Sequence, residues 1–162
     1  MDTTPFRVIS FDGGGLHALS YLPIIADMEK HLGTTIAESR DFNMLVGTST
    51  GSIVAMALKL GASAEDIIAM YTTHAKEIFT KTWIWNRPFF SYRSQGLNQT
   101  LAKFISKRVG SMQDICWRDL AEYSSYPDLE LVVTLWDTGR EKTSFLSTNL
   151  NRPDQAERLW DA

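Results

Sequence analysis

The chain contains one cysteine, Cys116, so no disulfide can form within it. It has no excess of positive charge. Lys and Arg total 16 against 19 Asp and Glu, a formal net charge of −3, which removes the global positive field expected of a nucleic-acid binder. The densest basic group, Lys103, Lys107 and Arg108, has helical spacing and reads as a solvated face. No run approaches the ~18 apolar residues of a membrane span. The N-terminus, Met1-Asp2-Thr3-Thr4-Pro5-Phe6-Arg7, lacks both the basic start and the apolar stretch of a secretory signal. A reducing, cytoplasmic setting fits these absences, with peripheral membrane contact left open. The only histidines are His17, His31 and His74, and no two have ligand spacing, so no metal site is expected. No internal repeat, low-complexity tract or linker marks a second domain, and residues 1–162 read as one.

What is present is an ordinary globular composition. Hydrophobic residues make up 44% and charged residues 22%, which argues against disorder over most of the length. Phe6 to Phe11 is a β-rich run ending in Asp12 and three glycines, a buried strand entering a tight loop. Tyr21, Ile25, Met28 and Leu32 recur at helical spacing with Gly33 as the stop, and Pro23 places the helix start near Ser20 to Leu22. Phe42 to Val46 predicts a second strand. Ser52 to Leu60 predicts a helix closed by Gly61. A further helix opens at Ser63, with Asp66 three residues on and Ile67, Met70 and Tyr71 on one face. A helix is expected over 97–109, and a strand over 129–136 that turns at Asp137-Thr138-Gly139-Arg140 into another at 143–146. A last helix is expected over 153–162. Strands alternating with helices indicate an α/β fold with a mostly parallel sheet.

Gly47-Thr48-Ser49-Thr50-Gly51 fits G-x-S-x-G between a strand and a helix. A serine at such a turn is held in a strained backbone with its Oγ exposed above the sheet. Small neighbours let strand and helix cross closely, and the helix N-terminus favours developing negative charge. The pentapeptide alone arises by chance about one time in twenty in a chain of this length. Its context, Met44-Leu45-Val46 before and Ile53 to Leu58 after, is what raises it above a glycine-rich turn with an idle serine.

Asp12-Gly13-Gly14-Gly15 likewise follows a strand and precedes a helix. Consecutive glycines clear side chains away, so N–H groups can converge on an anion. An oxyanion hole and a nucleotide-phosphate cradle both use such a loop. Neither G-x-x-x-x-G-K-[ST] nor G-x-G-x-x-G is present, which disfavours the nucleotide. Both loops would lie at the carboxyl edge of a parallel sheet, where such folds bind ligands. A glycine-rich anion hole beside an elbow serine is what acyl hydrolysis needs.

Together the stretches Ser10-Phe11-Asp12-Gly13-Gly14-Gly15-Leu16-His17-Ala18 and Val46-Gly47-Thr48-Ser49-Thr50-Gly51-Ser52 resemble the patatin-like phospholipase family, most clearly over residues 6–61. The resemblance implies a three-layer α/β/α fold and hydrolysis of lipid acyl esters by a Ser–Asp dyad, without a metal or organic cofactor. Ser49 matches the nucleophile. Gly13, Gly14 and Gly15 match the oxyanion-hole glycines, supported by Asp12, Gly47, Thr48, Thr50 and Gly51. His17 stands where the family usually has Lys or Arg, and Ala18 and Ser52 stand where it has glycine. The expected partner is a lipid or ester substrate, with no nucleic acid.

The family's catalytic Asp lies in an Asp-Gly-Gly or Asp-Gly-Ala motif, and none follows Ser49 in this chain. The expectation is that the domain is incomplete at its C-terminal end, that the chain alone is close to inactive, and that uncovered surface favours self-association. Asp161, on the polar side of a terminal helix, and Asp137, a turn residue, are poor substitutes. Two alternatives remain: a non-catalytic lipid-binding or scaffold module, and a triad esterase using His74. The aromatic stretch Trp83, Trp85, Phe89, Phe90 and Tyr92 reads as core or interdomain packing in preference to a lid, and Cys116 as a buried apolar residue.

Overall fold

The computed structural model describes residues 5–78, 81–82, 91–92, 126–137 and 142–148. A four-stranded sheet runs in the order β1 (Val8–Phe11), β2 (Met44–Thr48), β5 (Glu130–Asp137) and β6 (Lys142–Ser147). The first three strands are parallel, and β6 returns antiparallel as a hairpin with β5. A separate antiparallel pair joins β3 (Lys81–Thr82) to β4 (Ser91–Tyr92). The expected helices over 97–109 and 153–162, the aromatic stretch and Cys116 fall outside the described residues or side chains.

Residues in register share a face. Ile9, Phe11, Leu45, Gly47, Leu131, Val133 and Leu146 project together and, Ile9 apart, are buried. Helix α3 (Thr50–Lys59) lies on that face, contributing Val54, Ala55 and Leu58 to one continuous core. Val54 and Leu58, both fully buried, each contribute about 1.5–3 kcal/mol. Helices α1 (Ala18–Leu32) and α4 (Ala64–Ile78) pack on one another and against α3. The opposite face carries Val8, Met44, Val46, Val132 and Phe145, of which Val8 and Phe145 are exposed.

Local chemistry explains most helix ends. Ser63 caps α4, its Oγ accepting the Asp66 N–H at 3.1 Å. Ile67, Met70 and Tyr71 are buried on one face, as their spacing indicates. At the end of α3, Gly61 takes φ 75°; its N–H donates to the Leu58 carbonyl and the Ala62 N–H to the Ala57 carbonyl. That is a Schellman closure, which satisfies carbonyls the helix would otherwise orphan.

Two helix starts and one whole element differ from the sequence reading. Helix α1 begins at Ala18, not near Ser20 to Leu22, because a 3-10 turn over Gly15–His17 runs straight into it. Pro23 therefore sits in the second turn, where it removes one backbone donor from the helix ladder. Helix α3 begins at Thr50, directly after Ser49, not at Ser52. The short helix α2 (Ile36–Ser39) was not anticipated, although Thr35 and Glu38 form a full capping box.

Two buried charges tie the helices together. Glu29 is 8% exposed; its Oε1 accepts the Ile36 N–H at 3.1 Å and its Oε2 the Ala64 N–H at 2.8 Å. Ile36 and Ala64 are the first residues of α2 and α4, so one carboxylate meets two helix N-termini, where orphan N–H groups and the helix dipole favour an anion. Lys59 is fully buried at the end of α3, and its ammonium donates to the carbonyls of Tyr126 and Leu129 just before β5. Burial pulls the Lys59 pKa down from 10.5 to about 8, against the opposing pull of the Asp128 carboxylate.

Glu29→Ala should destabilise the fold by roughly 2–4 kcal/mol, because two buried N–H groups lose a charged acceptor; Glu29→Gln, which keeps one oxygen, should cost less. Chemical denaturation of both variants gives that ranking directly. Lys59 makes a second prediction. Its folded pKa of about 8 lies below its unfolded value of 10.5, so between those values the unfolded state holds more protons and stability rises with pH. Tyr21, pushed up to about 12, and Tyr71, also raised by burial, reverse the trend above pH ~10. Denaturation at pH 7.5 and 9.5 should show a gain of about 1 kcal/mol that Lys59→Met abolishes.

Candidate active site

The pairing of β1 with β2 aligns Phe11 with Gly47, so the two strands end side by side. The residues that follow, Asp12-Gly13 on one strand and Thr48-Ser49 on the other, are thereby forced together at the carboxyl edge of the sheet. A Cβ added at Gly13 would come within 2.9 Å of both the Ser49 Cβ and the Thr48 carbonyl oxygen, and within 3.6 Å of the Ser49 Oγ.

Ser49 has φ 53° and ψ −122°, a conformation rarely open to a residue with a side chain, which costs of order 1–3 kcal/mol. The reason it persists is steric. A Cβ at Gly51 would lie 2.1 Å from the Phe11 carbonyl oxygen, and one at Gly47 would lie 2.5 Å from both the Gly51 oxygen and the Ser52 Cα. The first turn of α3 is pressed onto the ends of β1 and β2, and the chain can make that passage only through a sharp turn at residue 49. The Ser52 N–H closes the turn on the Ser49 carbonyl at 2.9 Å. The side chain of Ser49 is left exposed above the start of α3.

The glycine loop has its own constraints. Gly14 (φ 132°) and Gly15 (φ 62°) lie in the region that favours glycine. The His17 N–H closes on the Gly14 carbonyl at 3.2 Å, and the Gly15 N–H donates to Thr50 Oγ1 at 2.9 Å. Among the described residues, the Gly13 and Gly14 N–H groups have no hydrogen-bond partner. Tyr21 stands behind the loop, its ring 5.8 Å from that of Phe11 and its hydroxyl 3.4 Å from the Asp12 carbonyl oxygen. Burial, with the nearby Asp12 charge, raises the Tyr21 pKa to about 12, so it stays a neutral donor at ordinary pH.

The structure thus gathers Asp12, Gly13, Gly14, Gly15, Gly47, Thr48, Ser49, Thr50 and Gly51 into one corner. His17 is exposed at the entry to α1. His74 lies well along α4, which packs chiefly on α1. Asp137 closes the β5–β6 hairpin opposite Lys142. Asp161 lies outside the described residues. Among the described residues, no group of three or more His, Cys, Asp or Glu side chains could hold a metal ion. A cleft of about 420 Å³ between the ends of α1, α2 and α4, with Glu29, Glu38 and Lys30 in its lining, does not include Ser49 or the glycine loop. Sequence reasoning missed the hydroxyl of Thr50, which it took only as part of the elbow pattern, and the loop contact of Tyr21, which it took only as part of a helical repeat; no spacing rule distinguishes either.

Gly51→Ala should destroy this corner. The gain in helix propensity is only about 1 kcal/mol, whereas the added methyl meets a backbone carbonyl that cannot move without breaking β1. A melting transition lowered by several degrees or lost, measured beside Ala57→Gly in the same helix, would show it.

A sequence model described as Patatin-like phospholipase matches residues 9–153. The chain is 34% identical over 134 residues to the cUMP-AMP-activated phospholipase of Escherichia coli, covering 83% of this chain and 36% of that protein. It is 33% identical over 88 residues to the cGAMP-activated phospholipase of Escherichia coli strain TW11681, covering 51% of this chain and 25% of that protein. It is 31% identical over 85 residues to Patatin-like phospholipase 1 of Plasmodium falciparum, covering 47% and 12%. The chain therefore spans about a third or less of the length of these relatives. With the glycine loop and the elbow serine at adjoining strand ends, and the family match running over most of its length, this chain belongs to the patatin-like phospholipase family.

Proposed function

We propose that the protein is a lipid acyl hydrolase in which Ser49 is the nucleophile and the glycine loop receives the oxyanion. The observation that carries this reading is the close approach of Gly13 to an exposed, strained Ser49. Ser49 Oγ attacks the ester carbonyl carbon while its proton passes to a carboxylate base, the Asp that the family resemblance supplies. The carbonyl oxygen becomes an oxyanion stabilised by the loop N–H groups and the N-terminus of α3. The tetrahedral intermediate collapses, the C–O bond to the alcohol breaks, and the alcohol leaves with a proton. Water then attacks the acyl-serine by the same route in reverse, releasing the fatty acid.

The relatives named as phospholipases support a phospholipid ester as substrate. No described helix is long and apolar enough to cross a membrane.

Ser49→Ala in the intact protein should lower kcat for fatty-acid release from phosphatidylcholine vesicles by at least ~10³-fold, with the melting temperature unchanged. Vesicle binding that persists with no hydrolysis in the unaltered protein would instead favour the non-catalytic lipid-binding module.

A further inference from the structure

We propose that Thr50 is the positioning residue of the oxyanion loop. By accepting the Gly15 N–H, its hydroxyl fixes the loop so that the Gly13 and Gly14 N–H groups, and not that of Gly15, face the developing oxyanion. This rests on the assignment of Ser49 as nucleophile and goes beyond it.

Three consecutive glycines form the least constrained backbone a chain can have, and each must lose more conformational freedom on ordering than any other residue. A donor helps only within 2.7–3.1 Å of the oxyanion, so a loop that drifts by an ångström forfeits its effect. Something must hold it. The described contacts of the loop are the His17-to-Gly14 closure, which is internal to the loop and its turn, the van der Waals approach of Gly13 to Ser49, and the Gly15-to-Thr50 hydrogen bond of 2.9 Å. The Tyr21 hydroxyl also donates to the Asp12 carbonyl at 3.4 Å, but among the described residues the Thr50 bond alone is a directional bond from another element to the glycines themselves.

Thr50 suits the task for reasons visible in its surroundings. It is the first residue of α3 and the immediate neighbour of Ser49, so the loop is referenced to the nucleophile through a single peptide unit. Its side chain is β-branched and 8% exposed, so packing holds its χ1 and the oxygen stays where the loop needs it. The bond also has a chemical consequence. With its N–H committed to Thr50, Gly15 shapes the loop without being a donor, and the burden of charge stabilisation falls on Gly13 and Gly14. An acceptor at position 50 is the feature that matters, and serine should replace threonine.

The test compares Thr50→Val, which keeps the shape and removes the acceptor, with Thr50→Ser, which keeps the acceptor. Ester hydrolysis by the intact protein, affinity for a trifluoromethyl ketone that forms an oxyanion adduct on serine, and thermal melting are measured for each. Thr50→Val should lose about 10- to 100-fold in kcat and a similar factor in ketone affinity, with KM within about 2-fold. Thr50→Ser should restore both to within about 3-fold of the unaltered protein. A Thr50→Val enzyme with unaltered kcat and ketone affinity would overturn the proposal, as would a Thr50→Ser enzyme as impaired as Thr50→Val. If Thr50→Val does not fold, Thr50→Ala takes its place, and failure of both to fold also overturns it, since the residue would then be holding the fold. Ser49→Ala is run in parallel. Loss of activity there with full activity in Thr50→Val rejects only the role of Thr50, whereas activity surviving Ser49→Ala rejects the nucleophile itself.

Discussion

Where α3 passes over the ends of β1 and β2, two backbones come into contact with no room for a Cβ between them. The Gly51 Cα faces the Phe11 carbonyl, and Gly47 lies under the first turn of the helix. This contact has three consequences. It sets the angle at which the chain leaves β2. It drives Ser49 into a positive φ and lifts its side chain clear of the sheet. It also brings the start of α3, with its uncompensated N–H groups and positive dipole end, to the place where the glycine loop leaves β1. Strain in a single serine is stable because the surroundings offer the chain no other path.

The layer of helices that supports this corner is held by polar groups as well as by its apolar core. Glu29 and Lys59 are both buried, and each is satisfied by backbone partners and not by the other. Glu29 answers a need that helices create wherever they begin, and it does so for two helices with one carboxylate. Lys59 joins the far end of α3 to the segment entering β5, so the helix that presents Ser49 is anchored at the opposite end of the sheet. Burial, partly opposed by the Asp128 carboxylate, holds the pKa of that ammonium down.

The chemistry of the site follows from arrangement more than from any unusual side chain. A serine hydroxyl, three glycines and a threonine have no charge of their own. What they offer is an exposed serine without a bulky neighbour, a glycine loop close beside it, and a helix end that favours negative charge there. That arrangement accords with membership of the patatin-like phospholipase family.

Much of this is legible in the sequence. The strand–glycine–helix and strand–serine–helix patterns identify both loops, because turn chemistry and the need for small residues at a close crossing are local matters written into a few adjacent positions. The hairpin of β5 and β6, the cap at Ser63 and the buried face of α4 are local in the same sense. The starts of α1 and α3 were misplaced by a few residues, since a 3-10 turn and a strained serine can each feed directly into a helix that proline and composition would start later. Glu29, Lys59, Tyr21 and the hydroxyl of Thr50 escaped notice because their partners are 7 to 70 residues away. By itself, then, the sequence determined which residues form the strand-to-helix serine turn and the glycine loop. Only the tertiary structure decided that the two meet, through the register that sets Phe11 beside Gly47, because strand register is settled by packing between distant segments and is encoded in neither of them alone.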